Sequence, residues 1–118
     1  MITIFFVEDH PLILRLVKGL LEKEPDFSIV ADTASGAKAL GLIQDLQPDV
    51  VVVDLELAEG NGLALVKDIY QAAPQSRIIV FSLRDYAPYI DLLATMGISK
   101  FISKLDPIDD LIRAIRFP

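Results

Sequence analysis

Cysteine is absent from the 118 residues, which excludes disulfides and thiolate metal sites and leaves any chemistry to oxygen and nitrogen groups. That suits a reducing cytosol, and a cytoplasmic location is the expectation. Basic residues are scarce as well: 11 Lys and Arg stand against 17 Asp and Glu, a formal charge of −6. Such a balance repels a nucleic-acid backbone unless a local basic patch overcomes it. No patch is visible, so direct nucleic-acid binding is not expected. Although 53% of the residues are hydrophobic, the longest aliphatic runs fall far short of the ~18 residues that span a bilayer. The opening MITIFFVEDHPL lacks the basic region and cleavage site of a signal peptide, so no membrane association is expected. What remains is one domain, residues 1–118, long enough to bury roughly two-thirds of its unfolded surface in a dense core.

Short β-rich runs are present, alternating with helical patterns: 2–7, 28–31, 50–53, 77–81 and 100–103. Five strands alternating with helices predict a parallel sheet. Val50 to Val53 shows no polar alternation, as expected of a strand covered on both faces. Pro11 suits the first turn of the first helix, Ser35 the cap of the second and Gly97 the close of the fourth. The third and fifth helices are expected after Asn61-Gly62 and Asp106-Pro107. In the first helix, Leu12, Ile13, Leu14, Leu16, Val17, Leu20 and Leu21 cover about half the circumference, more than a sheet alone buries.

In an open parallel sheet the functional crevice lies beyond the carboxyl ends of the strands. There the first strand delivers Glu8 and Asp9, the third Asp54, the fourth Ser82 and the fifth Lys104. Each has a plainer reading: Asp9 or Ser82 could cap a helix, Asp54 could be a turn acid, and Lys104 a solvated lysine. Independent surface polars, however, have no reason to gather at the ends of the central strands. Carboxylates a few ångströms apart repel by roughly 3–4 kcal/mol per pair at an effective dielectric near 20. Lys104 supplies one compensating charge, and a hard divalent ion such as Mg2+ suits the rest. An aspartate so placed can act as a nucleophile toward a phosphoryl group. His10, the single histidine, lacks partners at ligand spacing and is assigned no chemistry.

With these residues the sequence resembles the receiver domain of two-component response regulators along essentially its whole length. The pieces are FFVEDHPL with its acid pair, VVVDLEL with its aspartate, the GNG turn, IIVFS with its hydroxyl and KFISK with its lysine. EDHPLILRLVKGLLEKEPD and IDDLIRAIR are similar to the branch of nitrate-response and quorum-sensing regulators, whose receivers precede a helix-turn-helix DNA-binding domain. The resemblance implies a flavodoxin-like five-stranded sheet of order 2-1-3-4-5 with helices on both faces. It makes Asp54 the phosphoacceptor, phosphorylated by a sensor histidine kinase, and Ser82 and Lys104 its catalytic partners. Glu8, Asp9, Asp54 and the Glu56 carbonyl would bind Mg2+, and Phe101 would be the switch aromatic. Glu56 and Arg84 are candidates for a gate over the hydrolytic water. A homodimer on phosphorylation is expected, with the DNA-binding domain outside this chain and transcription as output. Leu105 follows the lysine where many receivers have proline, Ala58 replaces a common proline, and Glu8 replaces the commoner aspartate. The alternatives are a pseudo-receiver that only binds partners and, from a different class, an aspartyl-phosphate phosphatase.

Overall fold

A computed structural model describes residues 1–57, 62–83, 87–98 and 100–118. Along them strands and helices alternate: β1 (Ile2–Val7), α1 (Pro11–Leu21), β2 (Phe27–Thr33), α2 (Gly36–Leu46), β3 (Val50–Val53), α3 (Gly62–Ala72), β4 (Arg77–Ser82), α4 (Ile90–Thr95), β5 (Lys100–Ser103) and α5 (Ile108–Arg116). A single 3-10 turn, Ala87–Tyr89, leads into α4. The strands form one parallel sheet in the order β2-β1-β3-β4-β5. This is the expected order, and it puts three strands, β1, β3 and β4, in the interior.

Strand side chains alternate between faces, so each interior strand feeds two cores. Phe5, Val7, Val51, Val53, Ile78 and Val80 pack with Ala39 and Ile43 of α2, Val66 and Ile69 of α3, and Leu93 of α4. Ile4, Phe6, Val50, Val52, Ile79 and Phe81 pack with Val17 and Leu21 of α1 and with Leu111, Ala114 and Ile115 of α5. All four valines of β3 are buried, which explains the missing polar alternation there. No helix among the described residues is long and apolar enough to cross a membrane.

β2 runs from Phe27 to Thr33, longer than the expected 28–31. Its register jumps from Ile4↔Ile29 to Phe5↔Ala31, so Val30 is an extra, bulged residue. That insertion breaks the period-2 pattern, and Asp32 and Thr33 are strand residues on an edge where apolarity gives no signal. β4 likewise ends on Ser82, one residue later than expected.

Helix ends follow their chemistry. Pro11 stands in the first turn of α1, and Ser35 Oγ accepts from Lys38 N–H at 3.3 Å. Gly97 (φ +76°) closes α4, where Gly97 N–H donates to Ala94 O and Ile98 N–H to Leu93 O. α3 begins at Gly62, and Asn61 lies outside the described residues. Two arginines pin α5: Arg77 of β4 donates to the carbonyls of Ala114 and Ile115 in its last turn, and Arg116 pairs with Asp26 and Glu24.

Two glycines should respond to alanine with opposite signs. A Cβ on Gly62 would lie 2.5–2.7 Å from the Leu55 backbone just after β3, so something must move. Gly62→Ala should cost about 1–3 kcal/mol in urea denaturation, the range for overpacking. Gly41, inside α2 with open space around it, should gain roughly 0.5–1 kcal/mol as alanine.

Candidate functional site

The sheet ladder carries on one residue past the ends of its strands. Glu8 N–H donates to Thr33 O and Asp54 N–H to Val7 O, each at 3.0 Å, and Lys104 N–H reaches Ser82 O at 3.2 Å. These main-chain bonds fix where the first residue after each strand stands before any side chain acts. They draw Glu8, Asp54 and Lys104 to one edge, as expected. Ser82, the buried last residue of β4, lies two positions beyond the Val53↔Val80 pair and opposite Ser103.

Lys104 Nζ sits 2.8 Å from Asp54 Oδ2 and 2.6 Å from Glu8 Oε1, and the three side chains are 2%, 1% and 3% exposed. Asp54 Oδ1 is held from the other side by Glu56 N–H at 2.9 Å. The acid is therefore oriented by its own loop and charge-paired from β5. Asp9 stands beside it, next to His10.

Neither of the plainer helix-cap readings applies. The cap residue of α1 is His10, not Asp9, and that of α4 is Tyr89, not Ser82. Phe101 lies on β5 opposite Val80, partly buried against the core shared with Leu93. The Glu56 side chain is exposed, while Arg84 and Ala58 lie outside the described residues, as does any contact that would form the gate. No cis peptide bond occurs among the described residues, so Lys104-Leu105 is trans without the proline.

His10, to which the sequence reading assigned no chemistry, stands beside these acids. Its Nδ1 lies 3.3 Å from Asp9 Oδ1, 3.4 Å from Glu8 Oε2 and 3.7 Å from Asp54 Oδ2. The signal was local: a residue before proline is confined to extended backbone. His10 adopts φ −90°, ψ 100°, so the chain turns there and the ring comes back over the acids that precede it.

Charge in the site is uneven. Burial, the largest influence on Glu8, pushes its carboxyl above the ordinary 4.5, more than the Lys104 ammonium can offset. Burial also pushes Asp54 upward, but Lys104, the Glu56 N–H and a hydrogen bond with Glu8 together leave it below 3.8. Glu8, Asp9, His10 and Asp54 each offer a donor atom within 4.8 Å of the others, a set that fits a divalent cation.

The sequence pattern of the response regulator receiver domain matches residues 4–116. The chain belongs to that family. It is 32% identical over 115 residues to the transcriptional regulatory protein DegU of Brevibacillus brevis, covering 98% of this chain and 49% of DegU. The nitrate/nitrite response regulator protein NarL of Escherichia coli is 27% identical, with 96% of this chain and 52% of NarL covered. The chain thus spans about half the length of the curated relatives it matches. Among solved structures, a LuxR-family two-component response regulator from an Aurantimonas species superimposes with a TM-score of 0.88 at 28% identity, over 97% of this chain and 81% of that one.

Because Glu8 holds its proton more tightly when folded, the stability tied to that proton is complete below 4.5 and is lost as pH rises through the raised value. Glu8→Gln, which is neutral at every pH, should therefore melt a few degrees above the natural domain at pH 8 without divalent ions. The gap should close toward pH 4. A lower melting temperature at pH 8 would mean that the Lys104 attraction outweighs desolvation.

Proposed function

We propose that this domain is a phosphorylation switch whose acceptor is Asp54. The observation that carries this is a buried carboxylate held 2.8 Å from a buried ammonium, at the strand ends of a receiver-family sheet. An Asp54 oxygen attacks the phosphorus of a phosphohistidine on a sensor histidine kinase. The P–N bond breaks, its electron pair stays on the imidazole, and an acyl phosphate forms on Asp54. Lys104 pairs with the incoming phosphoryl oxygens and the Ser82 hydroxyl donates to one of them.

Glu8, Asp9, Asp54 and the Glu56 carbonyl would hold Mg2+, which supplies charge neutralisation on the transferring group when bound. Phe101, three residues before Lys104 on the same strand, would change rotamer with Ser82 and alter the face of α4, β5 and α5. No turnover of an external substrate is implied. The chemistry is self-catalysed phosphoryl uptake and self-dephosphorylation.

Output follows from what the chain resembles. DegU and NarL are transcriptional and nitrate/nitrite regulators about twice as long as this chain. A helix-turn-helix DNA-binding domain outside these residues would carry the output to DNA in the cytoplasm, while the acidic receiver does not itself bind it. Phosphorylation would favour a homodimer. The α1–α5 side is the better candidate surface, because Leu12 and Leu16 of α1 are 77% and 65% exposed beside α5. The α4 side offers Leu92 at 51%.

With acetyl phosphate and Mg2+ the intact mass should rise by one phosphoryl unit, and Asp54→Asn should stay unmodified. Equal labelling of that variant would move the acceptor, and no labelling at all would favour the pseudo-receiver. In sedimentation, beryllofluoride should shift the domain from monomer toward dimer. Leu16→Glu should abolish that shift and Leu92→Glu should leave it. The reverse pattern would assign the dimer to the α4 face.

A further inference from the structure

At the sheet edge opposite Asp54, where β4 and β5 begin, lies a cavity of about 290 Å3 bordered by Tyr70, Gln75, Arg77, Met96, Ile98 and Lys100. In a chain of formal charge −6, no Asp or Glu among the described residues lines it. Lys100 pairs with Ile79 and Arg77 precedes Ile79 by two positions, so both cations stand on the face of the sheet that α5 covers. Arg77 gives one N–H to Ala114 O at 3.1 Å and another to Ile115 O, both neutral acceptors. A guanidinium carries five such donors, and the others bond to no described residue. Burial holds this one below its ordinary proton affinity, by more than the attraction of Asp49 restores. Lys100, half-buried, also borders a neighbouring cavity with Asp106 and Asp110. Those acids are engaged elsewhere, by Ser103 N–H and by Arg113.

Two cations beside a cavity without acids match a compact dianion. A phosphate monoester carries a charge of about −1.5 to −2 at neutral pH and accepts charge-assisted bonds from Arg and Lys together. The cavity falls at the small end of the roughly 300–1,000 Å3 typical of ligand sites. Inorganic phosphate alone would leave its apolar walls unfilled. We propose that this cavity binds a small phosphate monoester, with the phosphoryl group held by Arg77 and Lys100 and the organic part resting on Tyr70, Met96 and Ile98. The site is separate from the Asp54 cluster and does not depend on phosphorylation there. Because Arg77 also holds the last turn of α5, an occupant is felt at the end of that helix through the same guanidinium.

The test is titration with phenyl phosphate, followed by amide NMR without divalent ions. Pro118 also borders the cavity, so the domain carries an uncharged Gly-Ser tail that keeps a terminal carboxylate out of it. Saturable shifts should appear at Tyr70, Ile98 and Lys100 and extend to residues 114–117, with none around Asp54 and Lys104. Lys100→Met, and Lys100→Gln as a second reading, should weaken binding by about tenfold or more, the scale of one lost hydrogen bond to a charged group. Phenyl sulfate, with a single charge, and inorganic phosphate, with no organic part, should both bind more weakly than phenyl phosphate. Unchanged affinity in both Lys100 variants, shifts confined to the Asp54 edge, or no saturable shift at millimolar probe would overturn the site. Equal binding of phenyl sulfate or of inorganic phosphate would overturn the monoester assignment.

Discussion

The Lys104 ammonium, enclosed with the carboxylates of Glu8 and Asp54 at the carboxyl edge of the sheet, is the interaction on which the rest of the site depends. Taking three charged groups out of water is costly, and one cation cannot neutralise two anions with a third, Asp9, beside them. Burial, more than the neighbouring charges, pushes the Glu8 carboxyl above its ordinary value. In the proposed switch, that excess negative charge would be met by a further cation and then by a phosphoryl group.

What holds the cluster in place is backbone, not side chain. Bonds from Glu8, Asp54 and Lys104 N–H groups to neighbouring strand ends extend the ladder, so these residues inherit the rigidity of a sheet packed on both faces. Behind them, Gly62 lets α3 begin against the Leu55 backbone just after β3. The opposite edge is also tied down. Thr3 and Asp49 exchange hydrogen bonds between β1 and the start of β3, and Arg77 ties β4 to α5. The domain is thus anchored at one end of its strands and charged at the other.

Much of this was legible in the residues, for identifiable reasons. Unbroken valines announce a doubly covered strand, and a polar residue after each such run announces the crevice. Alternation failed on β2, where the Val30 bulge and an edge location remove the pattern that apolar periodicity relies on. The wide apolar arc of α1 was visible too, but only the fold divides it: Val17 and Leu21 are core, Leu12 and Leu16 exposed. His10 has no partners at ligand spacing in the sequence, whereas in the fold sheet pairing brings Asp54, 44 positions away, near it. Lys104 was found by the same kind of pairing only because it ends a strand. A residue that enters a site from a helix cap carries no such mark.

That placement of Lys104 also suggests how charge becomes shape in the proposed switch. Its side chain answers to Asp54 on β3, its backbone N–H is bonded to Ser82 on β4, and Phe101 precedes it on β5. A phosphoryl group on Asp54 would carry negative charge outward from the buried carboxylate, and the ammonium must follow it or be left facing Glu8 alone. Either response loads the end of β5 relative to β4. Ser82 feels the same charge through its hydroxyl, and Phe101 packs against the core of which the neighbouring strand is part. A packed interior does not deform smoothly, so an electrostatic displacement at one strand end is resolved as a choice between side-chain arrangements on the outer face.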